Sequence, residues 1–330
     1  MKRQSFEVYF KTISWHGDYF INGASSAKIH LDTGKIEEGG IHYAFDFDRA
    51  TTSPNGRYTL IYQNLGTKGL LLKDGKFLRE VNRSFYHADV YEYPAIFWQR
   101  SEEETYLIHC PNEYCRLDIE EVETGNIISD HSDRKPSDFF HSRLEISPNG
   151  KMLISRGWCW HPWDAVEVFD LDACFSNPLL LDNAQMASEG EGEIFAASFI
   201  DEQHLLLGES DDADNLGKGK PDIIAQVKVW NISTNTVSDP VPLDFAFGGH
   251  VMAIDDTYAW DMYQYPKIFN FRTGRIVDKC EDIFSGHQQS SIIHHIKDLP
   301  IIVFNKQTRQ MAVLNNHQLD VLTPEEKYEL

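Results

Sequence analysis

The sequence predicts an all-β chain folded as a seven-bladed β-propeller, with four antiparallel strands in each blade. Three observations lead there. Short runs rich in Val, Ile, Phe, Tyr and Trp stop at corners holding Gly, Asn or Asp, which is how hairpins read in sequence. Such corners recur at intervals of roughly 39 to 62 residues through the 330 residues of the chain, the spacing of a repeat built from one small sheet. Outside the final stretch 324–330, no run of apolar residues has a helical period.

The compact statement of the pattern is Leu144 to Asp172. A strand ends at a Pro-Asn-Gly turn, a second strand follows over 152–155, an aromatic loop interrupts, and a third strand over 165–171 closes at an Asp-containing corner. Corners of this closing type end at Gly34, Gly75, Gly125, Ala173, Asn235, Gly274 and His317. A second type falls midway: Ser53-Pro-Asn-Gly56 and Ser147-Pro-Asn-Gly150 are its best copies, with weaker ones at 200–203, 254–257 and 296–299.

In order, blade one is expected to use 7–12, 19–22 and 27–31, and blade two 50–53, 58–62, 70–73 and 77–81. Blade three spans 87–128, with strands near 95–99, 105–109 and 116–119. Blade four ends near 181, blade five runs over 194–243, blade six over 249–283 and blade seven over 291–322. No linker divides the chain, so one domain is expected over 1–330. Which blade joins the two termini is left open.

Val227-Lys-Val-Trp-Asn-Ile232 resembles the closing strand of a WD40 repeat, with Asn in place of the usual Asp. Val166-Glu-Val-Phe-Asp-Leu171 and Lys267-Ile-Phe-Asn-Phe271 are Phe-bearing relatives of it, and Gly249-His250 and Gly286-His287 stand where a WD40 blade begins. No blade carries the full set. The resemblance implies a propeller with a scaffold or binding role, and no particular activity, because the fold hosts many functions.

Composition narrows the classes of partner. With 42% hydrophobic and 12% aromatic residues the chain can bury a core throughout. Its 51 acids against 30 bases give a formal charge of −21, which argues against nucleic acid, since phosphate binding needs a basic stripe. A basic partner is expected instead. Five cysteines without a Cys-x-x-Cys pair suggest neither a disulfide framework nor a zinc site. The basic pair Lys2-Arg3 has no apolar run behind it, and nothing reaches the roughly 18 apolar residues of a membrane span. A cytoplasmic protein is expected, without a membrane partner.

The up-and-down order of a blade puts second-to-third strand loops on the same face as the connections between blades, and the tight corners on the other. On the first face, blade four should carry Gly157 to Asp164, with Trp158, Trp160, His161, Trp163 and Asp164. Blade five should carry an acidic loop with Glu209, Asp211, Asp212 and Asp214, and blade six Trp260 to Pro266, with Asp261, Tyr263 and Tyr265. Glu189 to Glu193 and the run Glu102-Glu-Glu104 are assigned to the same face. Between Asp182 and Asp222 stand eleven acids and two lysines. Trp and Tyr dominate binding hot spots, and the surrounding acids would steer a cation that can also stack on the rings. The bland alternatives are indoles wedged between blades and acidic loops that are merely solvated.

Sharper chemistry finds little support. Asp211, Asp212, Asp214 and Asn215 lack the spacing of a Ca²⁺ loop, and His294 and His295 point to opposite faces if they lie on a strand. His161 beside Asp164 has no nucleophile motif to serve. The expectation is therefore a protein without catalytic residues, metal or cofactor, whose acidic aromatic face docks a basic protein. One concrete form is a neutralising partner that fills the basic cleft of a toxin or nucleic-acid enzyme. The alternative is a propeller hydrolase or lyase working on a polar substrate in the central channel, in one version with Ca²⁺.

Overall fold

A computed structural model describes residues 1–160, 163–187, 192–210, 225–326 and 328. Seven antiparallel sheets follow one another along the chain and close into a ring. The innermost strands are Ser14–His16, Arg49–Thr52, Ala95–Gln99, Glu145–Ile146, Glu193–Phe199, Val251–Ala253 and Ile301–Asn305. Each pairs with the strand that follows it in sequence. Blade three has three strands, with an isolated bridge between Glu120 and Ile127 in the place of a fourth.

The corners form for chemical reasons that repeat. In Ser53-Pro-Asn-Gly56 the Ser53 hydroxyl accepts the Tyr58 N–H at 3.0 Å and donates to Asn55 Oδ1 at 2.7 Å, and Gly56 takes φ +72°. Ser147-Pro-Asn-Gly150 repeats this at 2.9 and 2.8 Å, with Gly150 at φ +74°. The left-handed position is where glycine escapes the Cβ clash.

The core lies between blades. Trp98 and Ile108 of blade three meet Leu153 and Phe169 of blade four. Ile154 and Val168 meet Phe199 and Leu207 of blade five, and Trp260 and Ile268 meet Met311 and Val313 across blades six and seven. Trp230 and Trp260 are wholly buried, as inter-blade packing demands.

Ring closure corrects the expected start of the chain. Residues 7–12 are not the first strand of blade one; Lys2–Glu7 pairs residue by residue with Gln318–Thr323 and is the outer strand of blade seven. The corner at Leu314 to His317 accordingly joins the second and third strands of blade seven, on the face opposite its supposed equivalents. The 296–299 stretch precedes that blade's inner strand. Glu102-Glu-Glu104 joins the first two strands of blade three, so it lies on the tight-corner face, away from the aromatic loop.

A helix also forms where none was expected, at Leu171–Ser176, followed by a 3-10 turn at Pro178–Asp182. Asp170 caps it, accepting the Ala173 N–H at 2.9 Å. Leu171 and Cys174 bury its inner side against blade three. The described part of 324–330 contains no helix.

Candidate functional site

One aromatic cluster rises on the face that carries the connections between blades. Phe139–Phe140 pairs with the end of Met152–Cys159, which sets Phe140 opposite Trp158. Their rings stack at 3.7 Å with planes 5° apart, and Tyr91 closes on both edge-on. Above this buried layer sits Trp160, 49% exposed, with its ring 5.9 Å from His87 and 6.2 Å from Phe140. Tyr86, 42% exposed, lies 4.5 Å from His87 and 4.9 Å from Tyr114. Phe85 beside it is 83% exposed. Blades two to four thus share one aromatic ridge, contributed by the connection between blades two and three, the long loop of blade three and the hairpin of blade four.

Acids border the ridge. Asp89, Glu113 and Asp138 are exposed, and Asp138 Oδ1 accepts the Tyr114 hydroxyl at 2.7 Å. Burial, with that hydrogen bond second, raises the Tyr114 pKa. Lysine and arginine are absent from the segments 85–93, 111–115 and 157–160, so these loops present aromatic and acidic groups together.

The expected site residues divide. Trp160 joins the ridge. Trp163 is exposed as well but pairs with Cys159, whereas Trp158 pairs with Asp164; alternate residues of a hairpin leave on opposite sides, so its ring departs from the other side. Trp158, Asp164, Glu209, Asp261 and Tyr263 are buried and are corrected from contact residues to interior ones. Trp158 is the foundation of the aromatic stack. Asp164 Oδ1 accepts from the Ser291 hydroxyl at 2.6 Å, and its N–H donates to Glu193 Oε1 at 2.7 Å. Glu209 accepts from Gln226 at 2.6 Å and pairs with Lys228. Asp261 holds the buried Lys267 ammonium at 2.9 Å, and that ammonium lies 4.5 Å from the centre of the half-buried Tyr265 ring. The blade-six loop therefore folds inward around Lys267 instead of rising beside blade four. His161, Asp211, Asp212 and Asp214 lie outside the described residues, as do residues 189–191.

Phe85, Tyr86, His87, Tyr114 and Phe140 were not singled out from sequence. The available signal is the run Phe85-Tyr86-His87 in a connection between strands, where apolar rings have no blade to pack into.

The segment 286–296, between blades six and seven, crosses the ring as a strap. Gln288 accepts the Gly249 N–H at 2.9 Å, Ser291 binds Asp164, Ile292 bridges Tyr91, and Val90 O accepts the Ile293 N–H at 2.9 Å. Between the blades, burial pushes Glu193 up to about 7, with Asp164's charge adding to it. Inside blade four burial pushes Glu167 up to about 7 and His141 down to about 3. Among the described residues no three His, Cys, Asp or Glu side chains gather as a metal site.

No family model matches the chain, and no curated protein matches it. Among solved structures it is similar to hydrazine synthase of Kuenenia stuttgartiensis, with a TM-score of 0.63 and 11% identity over 97% of each chain. A likeness at that identity is one of fold.

Proposed function

We propose that the protein is a docking module without enzymatic activity, which captures a basic segment of another protein on its aromatic ridge. The observation that carries this reading is the half-exposed Trp160 set against Tyr86 and His87 on a buried stack, with Asp89, Glu113 and Asp138 around it. Exposed Trp and Tyr held by a rigid base lose little freedom on binding, and carboxylates near them favour an arginine or lysine that stacks on a ring. The bulk acidity of the chain adds steering at a distance. A neutralising role against a basic cleft is one form of this function. The WD40-like fragments and the five unpaired cysteines fit a cytoplasmic scaffold.

The test uses a fluorescent Arg- and Lys-rich peptide at about 0.15 M salt, with its acidic counterpart as control. Saturable binding of the basic peptide is expected. The double variant Tyr86→Ala, Trp160→Ala should weaken it by at least about tenfold, the effect of losing roughly 1.4 kcal/mol of hot-spot contact. The melting temperature should fall by a few degrees at most, because both rings are about half exposed and lie outside the packing between blades. Equal binding of both peptides, or of the basic one by wild type and variant, would remove the proposal.

A further inference from the structure

The inner strands enclose a channel whose charge is opposite to that of the chain. Next to the strap it holds a cavity of about 420 Å³, within the range of small-ligand pockets. A second cavity of about 890 Å³ shares Thr51, Thr52, Ile96, Leu144 and Phe304 with the first and reaches the tight corners at Pro54 and Ser147 to Gly150. Among the described residues the acidic and basic side chains lining the two are Arg49, Arg143, Arg156 and Lys306 against Glu92 and Glu145, and burial lowers the Lys306 pKa. His250 also lines the first, and burial lowers its pKa, which keeps it neutral. In a chain with 51 acids and 30 bases, four cations facing two carboxylates is a local inversion.

The carboxylates do not neutralise all the cations. Glu145 pairs with Arg156 at 3.2 Å. Glu92 accepts from Gln288 at 2.6 Å, and Gln288 in turn meets His250 at 2.8 Å. Arg49, Arg143 and Lys306 have no carboxylate within ion-pair distance among the described residues; Arg49 donates to Asp48 O at 2.9 Å and Lys306 to Phe199 O. Arg143 is only 7% exposed, held at φ +44° with one Nη donating to Gly249 O at 2.9 Å. Its Nε donates to Arg156 O at 3.3 Å, and its Nη2 has no hydrogen-bond partner among the described residues. A buried guanidinium with an unmet donor is costly and calls for an acceptor.

We propose that the central channel binds a small organic anion, its carboxylate or phosphate head held by Arg143 and Arg49 and its body against the Tyr62 and Phe304 wall. The anion enters from the tight-corner face, past Lys306 and Arg156, and stops at the strap. A guanidinium fork matches either head group through paired N–H donors.

The experiment titrates the full chain with sodium citrate and, separately, with inorganic phosphate, holding ionic strength constant with sodium chloride and reading calorimetric heat and melting temperature. Saturable binding with a rise in melting temperature is expected for at least one anion, and the stronger arm assigns the head group. Arg143→Lys and Arg49→Gln should each weaken it at least about tenfold, and Tyr86→Ala with Trp160→Ala should leave it unchanged. If Arg143→Lys does not fold, Arg49→Gln decides alone. Failure of both anions to bind saturably, or binding that survives loss of Arg49 and of Arg143's fork, overturns the proposal.

Discussion

Glu167→Gln should stabilise the protein at alkaline pH and leave it unchanged in mild acid. Glu167 lies on Trp163–Asp170, buried, opposite Ser155 in the neighbouring strand. His141 Nδ1 is 3.7 Å away, beyond hydrogen-bond range, and is itself held neutral by burial. No cation pairs with it among the described residues, and burial, opposed only in part by a hydrogen bond to Ser137, pushes the carboxyl from an ordinary 4.5 up to about 7. The folded state then holds this proton more tightly than the unfolded chain does. Its contribution favours folding below about pH 4.5, is lost as pH rises, and becomes a full penalty above about pH 7. At about 1.4 kcal/mol per pKa unit the penalty is roughly 3 kcal/mol. Glutamine keeps the volume and an acceptor but never ionises. With an unfolding entropy of about 2 cal/mol/K per residue, the variant should melt about 4 °C above wild type near pH 8. Near pH 5 the difference should fall towards zero. Calorimetric melts at the two pH values check this. An equal shift at both, or a lower melting temperature at pH 8, would show that Glu167 is ionised without penalty and refute the reasoning.

Two further outcomes follow from single contacts. Lys267→Met leaves the buried Asp261 carboxylate held, among the described residues, by the Gly248 and Tyr263 N–H groups; a loss of about 3–5 kcal/mol is expected in denaturant melts, whereas a neutral result would show Asp261 protonated in the fold. Deleting residues 1–7 removes the outer strand of blade seven and exposes Gln318–Thr323 as an edge; light scattering should detect association, and stability should fall by at least about 3 kcal/mol, the scale of losing the packing of Phe6 alone.

The corners were legible because their chemistry is local. Ser-Pro-Asn-Gly needs only its own hydroxyl, amide and glycine, so two copies announce the same turn wherever they stand. Closure of the ring was not legible for the opposite reason. Lys2–Glu7 is exposed at all but Phe6, so it shows no apolar alternation, and its partner lies at the far end of the chain. The helix at Leu171 follows a strand directly and is too short to show a period; only its Asp170 cap marks it. The blade-six loop misled because a Lys267 paired to Asp261 reads in sequence as solvated charge.

The aromatic face shows the same division more sharply. Trp158 and Trp160 are two residues apart and leave on the same side, their rings 6.1 Å apart, yet one is the base of a stack and the other its outer surface, because the strand and its Phe139–Phe140 partner end at Cys159. Sequence therefore located the aromatic hairpin but not the neighbours that give it meaning, since Phe85 and Tyr86 arrive from a different connection. The strap separates that ridge from the channel. Ile292 packs under Tyr91, Phe140 and Trp158, while Gln288, four residues earlier, faces the cavity and holds Glu92. Surface rings can be removed without touching Arg143, and Arg49 can be neutralised without touching the rings. The two proposals thus rest on different residues on opposite sides of one segment, and each can fail alone.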